Sequence, residues 1–276
     1  MIKKRILVIG LAFFTLTGVA CGIDRQGETV DQILEDQIIR VASHIPYMVD
    51  TLNIAAKVAA RDGWKIEIIE VSDNVQYNEL LNNHEVDANF AQHEPFMEKF
   101  NEEREGNLVV VQKIYDAKVG FYSSHYETID EIPKGTQVAL PDDLSNLGRA
   151  LAILAEQEII QLTEGIGVNA TIRDIINNSN EFEWLLVDLL TLSETYYEPC
   201  VSLMYNYPAY ISKLDLKPSD AMFLEIKVDD RFAISLVARE DNQDSDKIKA
   251  LVEAMTSPEV REFLEKEHSD TLIPSF

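Results

Sequence analysis

The chain has 276 residues, with 24 Lys and Arg against 48 Asp and Glu, a formal charge of −24, and 46% hydrophobic residues. That apolar share can build a core and excludes an intrinsically disordered chain, while the acidity excludes a surface that holds nucleic acid or anionic lipid by charge. The length accommodates one large domain or two lobes of about 100–150 residues each, and two cysteines are too few for a disulfide framework or a cysteine-rich zinc site.

In chain order, Lys3, Lys4 and Arg5 come first, followed by an uncharged apolar stretch over 6–20. This is the charged start and apolar centre of a secretory signal, shorter than the ~20 residues a spanning helix needs. Gly18-Val19-Ala20 leads directly into Cys21, which resembles a bacterial lipobox with Gly18 where Leu is usual. The pattern implies cleavage before Cys21 and lipid on its sulfur, two or more acyl chains being needed for a stable anchor. The alternative is an ordinary signal peptide beside a chance cysteine. Loss of 1–20 removes three cations and no carboxylate, taking the charge from −24 to −27. With Cys21 lipidated, Cys200 is expected to be a free, buried thiol. Residues 22–36 are polar and read as a flexible tether.

The body alternates strand and helix patterns. Residues 38–43 form an apolar run of strand length, 48–62 carry Leu52, Ala55, Ala56 and Ala59 at helical spacing, and Gly63 offers a stop. Strands are expected over 65–71, 86–90, 108–115 and 119–122, with helices over 76–83 and 94–104. The pattern restarts with a strand at 137–140, a strongly apolar helix at 149–157, a short helix at 171–176, and apolar runs at 184–190 and 200–206. A strand at 231–238 precedes helices at 246–255 and 257–267, the second with Ser257 as N-cap and Pro258 at its first position. Such alternation argues an α/β fold with mostly parallel sheets. The restart near 121–137 marks a second lobe, and the strand at 231–238 rejoins the first, giving two crossings and a cleft, where ligands usually bind.

One segment carries recognition chemistry: Asp142-Asp143-Leu144-Ser145-Asn146-Leu147-Gly148-Arg149-Ala150. With Asn146 as N-cap, Arg149 falls in the first helical turn, where the helix dipole disfavours a cation unless an anion joins it. Helix N–H groups plus a guanidinium make a carboxylate site; the alternative is a surface Arg paired with Asp142 or Asp143. His93, in Asp87-Ala88-Asn89-Phe90-Ala91-Gln92-His93, reads as a hydrogen-bonding side chain more readily than as a metal ligand, because no second His or Cys stands at ligand spacing. No nucleophile elbow, phosphate-binding loop or dinucleotide fingerprint is present, and no cofactor is implied.

Several of these segments together resemble the NlpA family, the methionine-binding lipoproteins of ABC importers. The resemblance covers 38–276 and the lipobox. It is carried by Ser72-Asp73-Asn74-Val75-Gln76-Tyr77-Asn78, by the runs ending in His93 and Ala150-Leu151, by Ser257-Pro258-Glu259-Val260 and by Ile273-Pro274-Ser275-Phe276. It implies a two-lobed periplasmic-binding-protein fold of type II-like topology with two crossovers and no catalysis. It also implies an amino acid in the cleft, and delivery to an ABC permease and ATPase complex. By resemblance, Arg149 pairs with the ligand carboxylate, helped by Asn146, and His93 is the matching polar side chain.

Departures from the family pattern fall in the pocket. Asn74 stands for a Tyr, Ala91 for a Phe, and Tyr77 for a Pro. Tyr47-Met48 replaces a Pro-His element, and the late run that supplies an Asn to the ligand amino group maps loosely onto Asn206. Arg149, Asn146, His93, Phe90, Tyr77, Asn74 and Asn206 are therefore the expected ligand-binding set. Lobe one is expected over 37–120 and 231–276, and lobe two over 121–230. Methionine leads as ligand, with a different amino acid or a short peptide as rival. A non-transport surface lipoprotein, or an enzyme using Cys200 with His93, are the other classes.

Overall fold

The computed structural model describes residues 35–267 and 272–276; the signal, Cys21 and most of the tether lie outside the described residues. Strand β1 (Ile38–Ser43) leads into helix α1 (Pro46–Ala59), which begins on a proline and gives way to a short turn ending at Gly63, whose φ of 83° suits a residue without a side chain. Then follow β2 (Lys65–Glu70), α2 (Gln76–Asn82), β3 (Ala88–His93), α3 (Glu94–Arg104), β4 (Leu108–Ala117) and β5 (Gly120–Tyr122). The middle of the chain supplies β6 (Gln137–Pro141), α4 (Leu144–Glu156), β7 (Gln161–Leu162), β8 (Ile175–Asn177), β9 (Glu183–Val187) and β10 (Val201–Asn206). The last elements are α5 (Pro208–Ile211), β11 (Phe223–Leu224), β12 (Ile234–Arg239), α6 (Asp246–Met255), α7 (Pro258–Glu267) and β13 (Leu272–Pro274).

Two main sheets result. The first runs β13-β4-β12-β3-β1-β2 and the second β11-β5-β10-β6-β9. The chain passes from the first sheet to the second between Ala117 and Gly120 and returns between Leu224 and Ile234. This is a mixed α/β architecture, not the mostly parallel one expected from strand–helix alternation. Among the described residues, only β1–β2, β1–β3, β6–β10 and β6–β9 are parallel. β12 returns antiparallel between β3 and β4, and β5 pairs antiparallel with β10.

Strand alternation sorts the first sheet's residues onto two faces. Ile39 and Val41 of β1 join Leu52 of α1 and Leu251 of α6 in the main core, while Ala42 packs with Leu81 of α2 and Phe100 of α3 in a second cluster. Full burial of one aliphatic side chain contributes ~1.5–3 kcal/mol, so helices on both faces hold this sheet firmly. In the second sheet, Val138, Leu140 and Leu203 share the main core with Leu151 and Leu154 of α4.

Three local differences from the sequence reading matter. β3 runs on to His93 because pairing with β12 continues to Ile234, which lengthens the strand expected at 86–90. α4 starts five residues early, because Asp143 and not Asn146 is its N-cap: Asp143 Oδ1 accepts the Asn146 N–H at 2.9 Å. Arg149 therefore lies in the second turn, and the dipole argument for an anion there lapses. Residues 171–176 close a single turn, Ile172–Asp174, before β8 begins.

Gly148 fixes the seat of α4. A Cβ at this position would stand 2.0 Å from the Val168 carbonyl oxygen and 3.2 Å from that of Ala170. Glycine to alanine within a helix ordinarily gains about 1 kcal/mol. Here the sign reverses, since backbone and not a flexible side chain fills the space. Gly148→Ala is expected to cost about 1–3 kcal/mol in urea unfolding; a neutral or stabilising result would refute the close contact.

Candidate functional site

A cavity lies between elements of the first sheet and elements of the second, the kind of concave junction where small molecules are usually held. On the side of the first sheet it is lined by His44, Tyr47 and Met48 at the β1–α1 junction, by Asn74 and Tyr77 at α2, and by Ala91, Gln92, His93 and Phe96 along β3 and α3. From the other side come Asn146 of α4, Leu189, Tyr207 and Tyr210. Aromatic rings and a thioether form most of the wall, and no Asp, Glu, Lys or Arg is among the lining residues.

A hydrogen-bonded relay closes the polar end. The Tyr207 hydroxyl donates to Asn146 Oδ1 at 2.7 Å, and His93 Nε2 approaches the same oxygen at 3.3 Å. His93 Nδ1 accepts the Phe96 N–H at 3.3 Å, which places the proton of the neutral ring on Nε2. Asn146 Nδ2 in turn donates to Asp143 at 3.0 and 3.1 Å. Both ring nitrogens of His93 are thus engaged by the protein. Burial pushes His93 down to about 3, with the neighbouring Arg149 charge adding to the effect, and burial brings His44 down to about 4. His44 Nδ1 is buried without a hydrogen-bond partner among the described residues.

Behind Tyr207 stands Arg149, one of the largest fully buried side chains described. Its Nη1 donates to the Tyr207 hydroxyl at 2.9 Å, and its Nη2 to the Ala117 carbonyl at 3.1 Å. Nε and Nη2 meet Glu225 Oε1 and Oε2 at 3.0 and 2.5 Å. The Phe232 ring lies 4.6 Å from the guanidinium carbon. Burial alone would lower the Arg149 pKa; the electron-rich Tyr207 and Tyr205 and the Glu225 carboxylate outweigh it and keep the group charged.

Of the residues expected from the sequence, Asn74, Tyr77, His93 and Asn146 line the cavity together. Arg149 sits one layer behind, paired with Glu225 and with neither Asp142 nor Asp143. Phe90 turns into the core, edge-on to Tyr115 at 5.9 Å. Asn206 is buried at the end of β10, where its Oδ1 accepts the Tyr207 N–H at 2.9 Å, and it is not on the wall. Cys200 is exposed and not buried, at the turn that leads into β10. Sequence reasoning passed over Tyr207, Tyr210 and Glu225. The tyrosines carry a signal, the run Tyr205-Asn206-Tyr207-Pro208-Ala209-Tyr210; Glu225 is one carboxylate among 48 and carries none.

The sequence profile of the NlpA lipoprotein family matches residues 40–276. The chain belongs to the NlpA lipoprotein family. It is 29% identical over 265 residues to the D-methionine-binding lipoprotein MetQ of Escherichia coli (strain K12), spanning 95% of this chain and 94% of that one. A lipoprotein of the YaeC family from Enterococcus faecalis V583 is 43% identical, with a TM-score of 0.80 over 87% of this chain and 100% of that one. A nutrient binding protein from Burkholderia cenocepacia, solved bound to methionine, is 30% identical with a TM-score of 0.81 over 86% of this chain and 100% of its own. The two-lobed substrate-binding fold is thus that of the family. Among the described residues, no helix is long and apolar enough to cross a membrane.

The buried histidines of this NlpA lipoprotein give it a pH dependence of known sign. An unfolded His binds a proton near 6.5. His93 and His44 stay neutral in the fold down to about 3 and about 4. Their contribution to stability is present above pH 6.5 and is lost as pH falls toward 4. The thermal midpoint is expected to drop more steeply between pH 7 and pH 5 in the parent than in His93→Gln. Parallel slopes would show that His93 takes up its proton in the folded state as readily as in the unfolded one.

Proposed function

We propose that this lipoprotein is an extracytoplasmic solute-binding protein that captures methionine in the cavity and delivers it to an ABC permease and its ATPase. The observation that carries the reading is the cavity itself: an aromatic and thioether lining that includes Met48, Tyr77, Phe96 and Tyr210, together with a compact polar cluster at Asn146, His93 and Tyr207. A polarisable thioether packs well against rings. A cluster of hydrogen-bonding groups suits an amino-acid head group, with Arg149 supporting the carboxyl end from behind Tyr207. The methionine held by the related Burkholderia protein supports the choice of ligand.

The sequence supports the remaining features of the reading. The leader and Cys21 point to a lipid anchor on a bacterial membrane, followed by a tether to 36. Lobe one comprises 37–120 with 231–276 and lobe two 121–230, closing about the two crossings by hinge motion. The role is binding, with no chemical step.

Protein beginning at residue 22 should gain thermal stability with methionine and little with alanine or leucine, and mass spectrometry of the co-purifying small molecule should return methionine. No shift with methionine would sink the assignment. Tyr207→Phe, which strips the hydroxyl from between Arg149 Nη1 and Asn146 Oδ1, should fold and yet bind about tenfold or more weakly, because the bond to the charged guanidinium that holds the polar cluster in place contributes ~1.5–3 kcal/mol; calorimetric titration reads the change.

A further inference from the structure

Successive residues of a regular strand point to opposite faces, yet Ala91, Gln92 and His93 line the cavity one after another. The cause is a bulge in β3. Gln92 stands opposite Ser235 of β12 and Phe90 opposite Leu236, which leaves Ala91 as an extra residue with no partner on β12. On an unbroken strand Gln92 would share the face of Phe90, toward the main core, and His93 would share that of Asn89. The extra residue exchanges the two faces beyond Ala91. Bulges beside binding sites commonly re-aim a side chain in this way.

Three buried amides hold the bulge. Asn78 of α2 and Gln92 bond reciprocally: Asn78 Nδ2 donates to Gln92 Oε1 at 2.8 Å, and Gln92 Nε2 donates back to Asn78 Oδ1. Gln92 Nε2 also donates to Asn89 Oδ1 at 3.0 Å, so the residues on either side of the bulge are joined side chain to side chain. Asn89 Nδ2 donates to Asn78 Oδ1 at 2.9 Å and to the Tyr77 carbonyl at 3.4 Å. The Phe90 carbonyl accepts the Ser43 hydroxyl at 2.7 Å. Both N–H groups of Gln92 are thus taken, so it offers a ligand no donor, and neither Asn78 nor Asn89 lines the cavity. A buried polar group left without a partner costs ~1–3 kcal/mol, which confines the three amides to this one arrangement.

We propose that Asn78 is a positioning residue for ligand capture: with Asn89 and Gln92 it locks the bulge at Ala91 and thereby sets His93 where its ring meets Asn146 across the cleft. Asn78 touches no ligand and acts through the His93 ring, which stands 3.3 Å from Asn146 Oδ1. For its binding readout the proposal rests on the methionine reading above.

The test uses protein beginning at residue 22, as the parent, Asn78→Ala, Asn89→Ala and the double variant. Calorimetric titration with L-methionine reads the affinity, and nuclear magnetic resonance of the His93 ring reads its placement without ligand. Asn101→Ala is the control, since Asn101 ties the end of α3 to Leu108 through two bonds far along the helix from His93. Each single variant of the amide cluster is expected to shift the His93 ring signals and to bind methionine ~10-fold or more weakly, the worth of about one net hydrogen bond. The double variant should bind no more weakly than the worse single one, because either change releases the same lock. Asn101→Ala should lower the thermal midpoint and leave both readouts unmoved. A folded Asn78→Ala with parental affinity would overturn the proposal and leave the methionine reading standing. Weakened binding with unmoved His93 signals, or losses that add in the double variant, would overturn it as well. A parent that does not bind methionine would sink the methionine reading, and the His93 signals would then decide the lock by themselves. Should Asn78→Ala not fold, Asn89→Ala carries the same two readouts.

Discussion

A single buried cation organises this protein. Arg149 leaves the second turn of α4 and bonds to Ala117, at the first crossing between the sheets, and to Glu225, at the second. The only two strands of chain that pass between the main sheets among the described residues are therefore tied to one helix by one guanidinium. Burying such a group is costly, and the cost is offset only because four of its five N–H groups find close acceptors and two rings flank it. Phe232 reaches the guanidinium from the short turn Asp230–Phe232 that precedes β12, so the return to the first sheet is also anchored there.

The cavity inherits its shape from this arrangement. Tyr207 is held by Arg149 on one side and Asn146 on the other, and Asn146 is held by Asp143, the cap of the same helix. One helix thus supplies the clamp, the cap and an amide of the wall, and the Gly148 contact with Val168 sets how deeply it sits. Across the cleft, His93 ends β3 and caps α3 with its ring, so its orientation is settled by secondary structure before any ligand arrives. A relay this tightly satisfied is rigid. The apolar part of the site is the wall of Met48, Tyr77 and Phe96.

Much of this was legible in the residues. The helical spacing at 48–62 and 246–255, and the apolar runs at 38–43 and 200–206, report burial directly, because one face or both must meet a core, Cys200 at the start of the last run excepted. The segments ending at His93 and around Arg149 also announce themselves, since polar residues inside apolar elements ask for partners. What those partners are is a tertiary fact. Asp143 competes with Asn146 for the same cap and wins through its carboxylate, whose acceptor also receives the Ser145 hydroxyl. The inward facing of Phe90 depends on a strand whose pairing with β12 shifts register at Ser235 and Leu236, and no period-two reading anticipates that shift. Glu225 lies 76 residues from Arg149, and nothing near it in the chain marks it as different from its fellow carboxylates.

The exposure of Cys200 has a practical consequence. A soluble form that starts after Cys21 contains no other cysteine, and this one stands open to reagent beside the start of β10. A dye coupled there would ride on the second sheet, while a second thiol introduced on the outer face of α7 would ride on the first. Energy transfer between the two labels would then make the opening and closing of the cleft a direct optical signal, without disturbing a residue of the cavity wall.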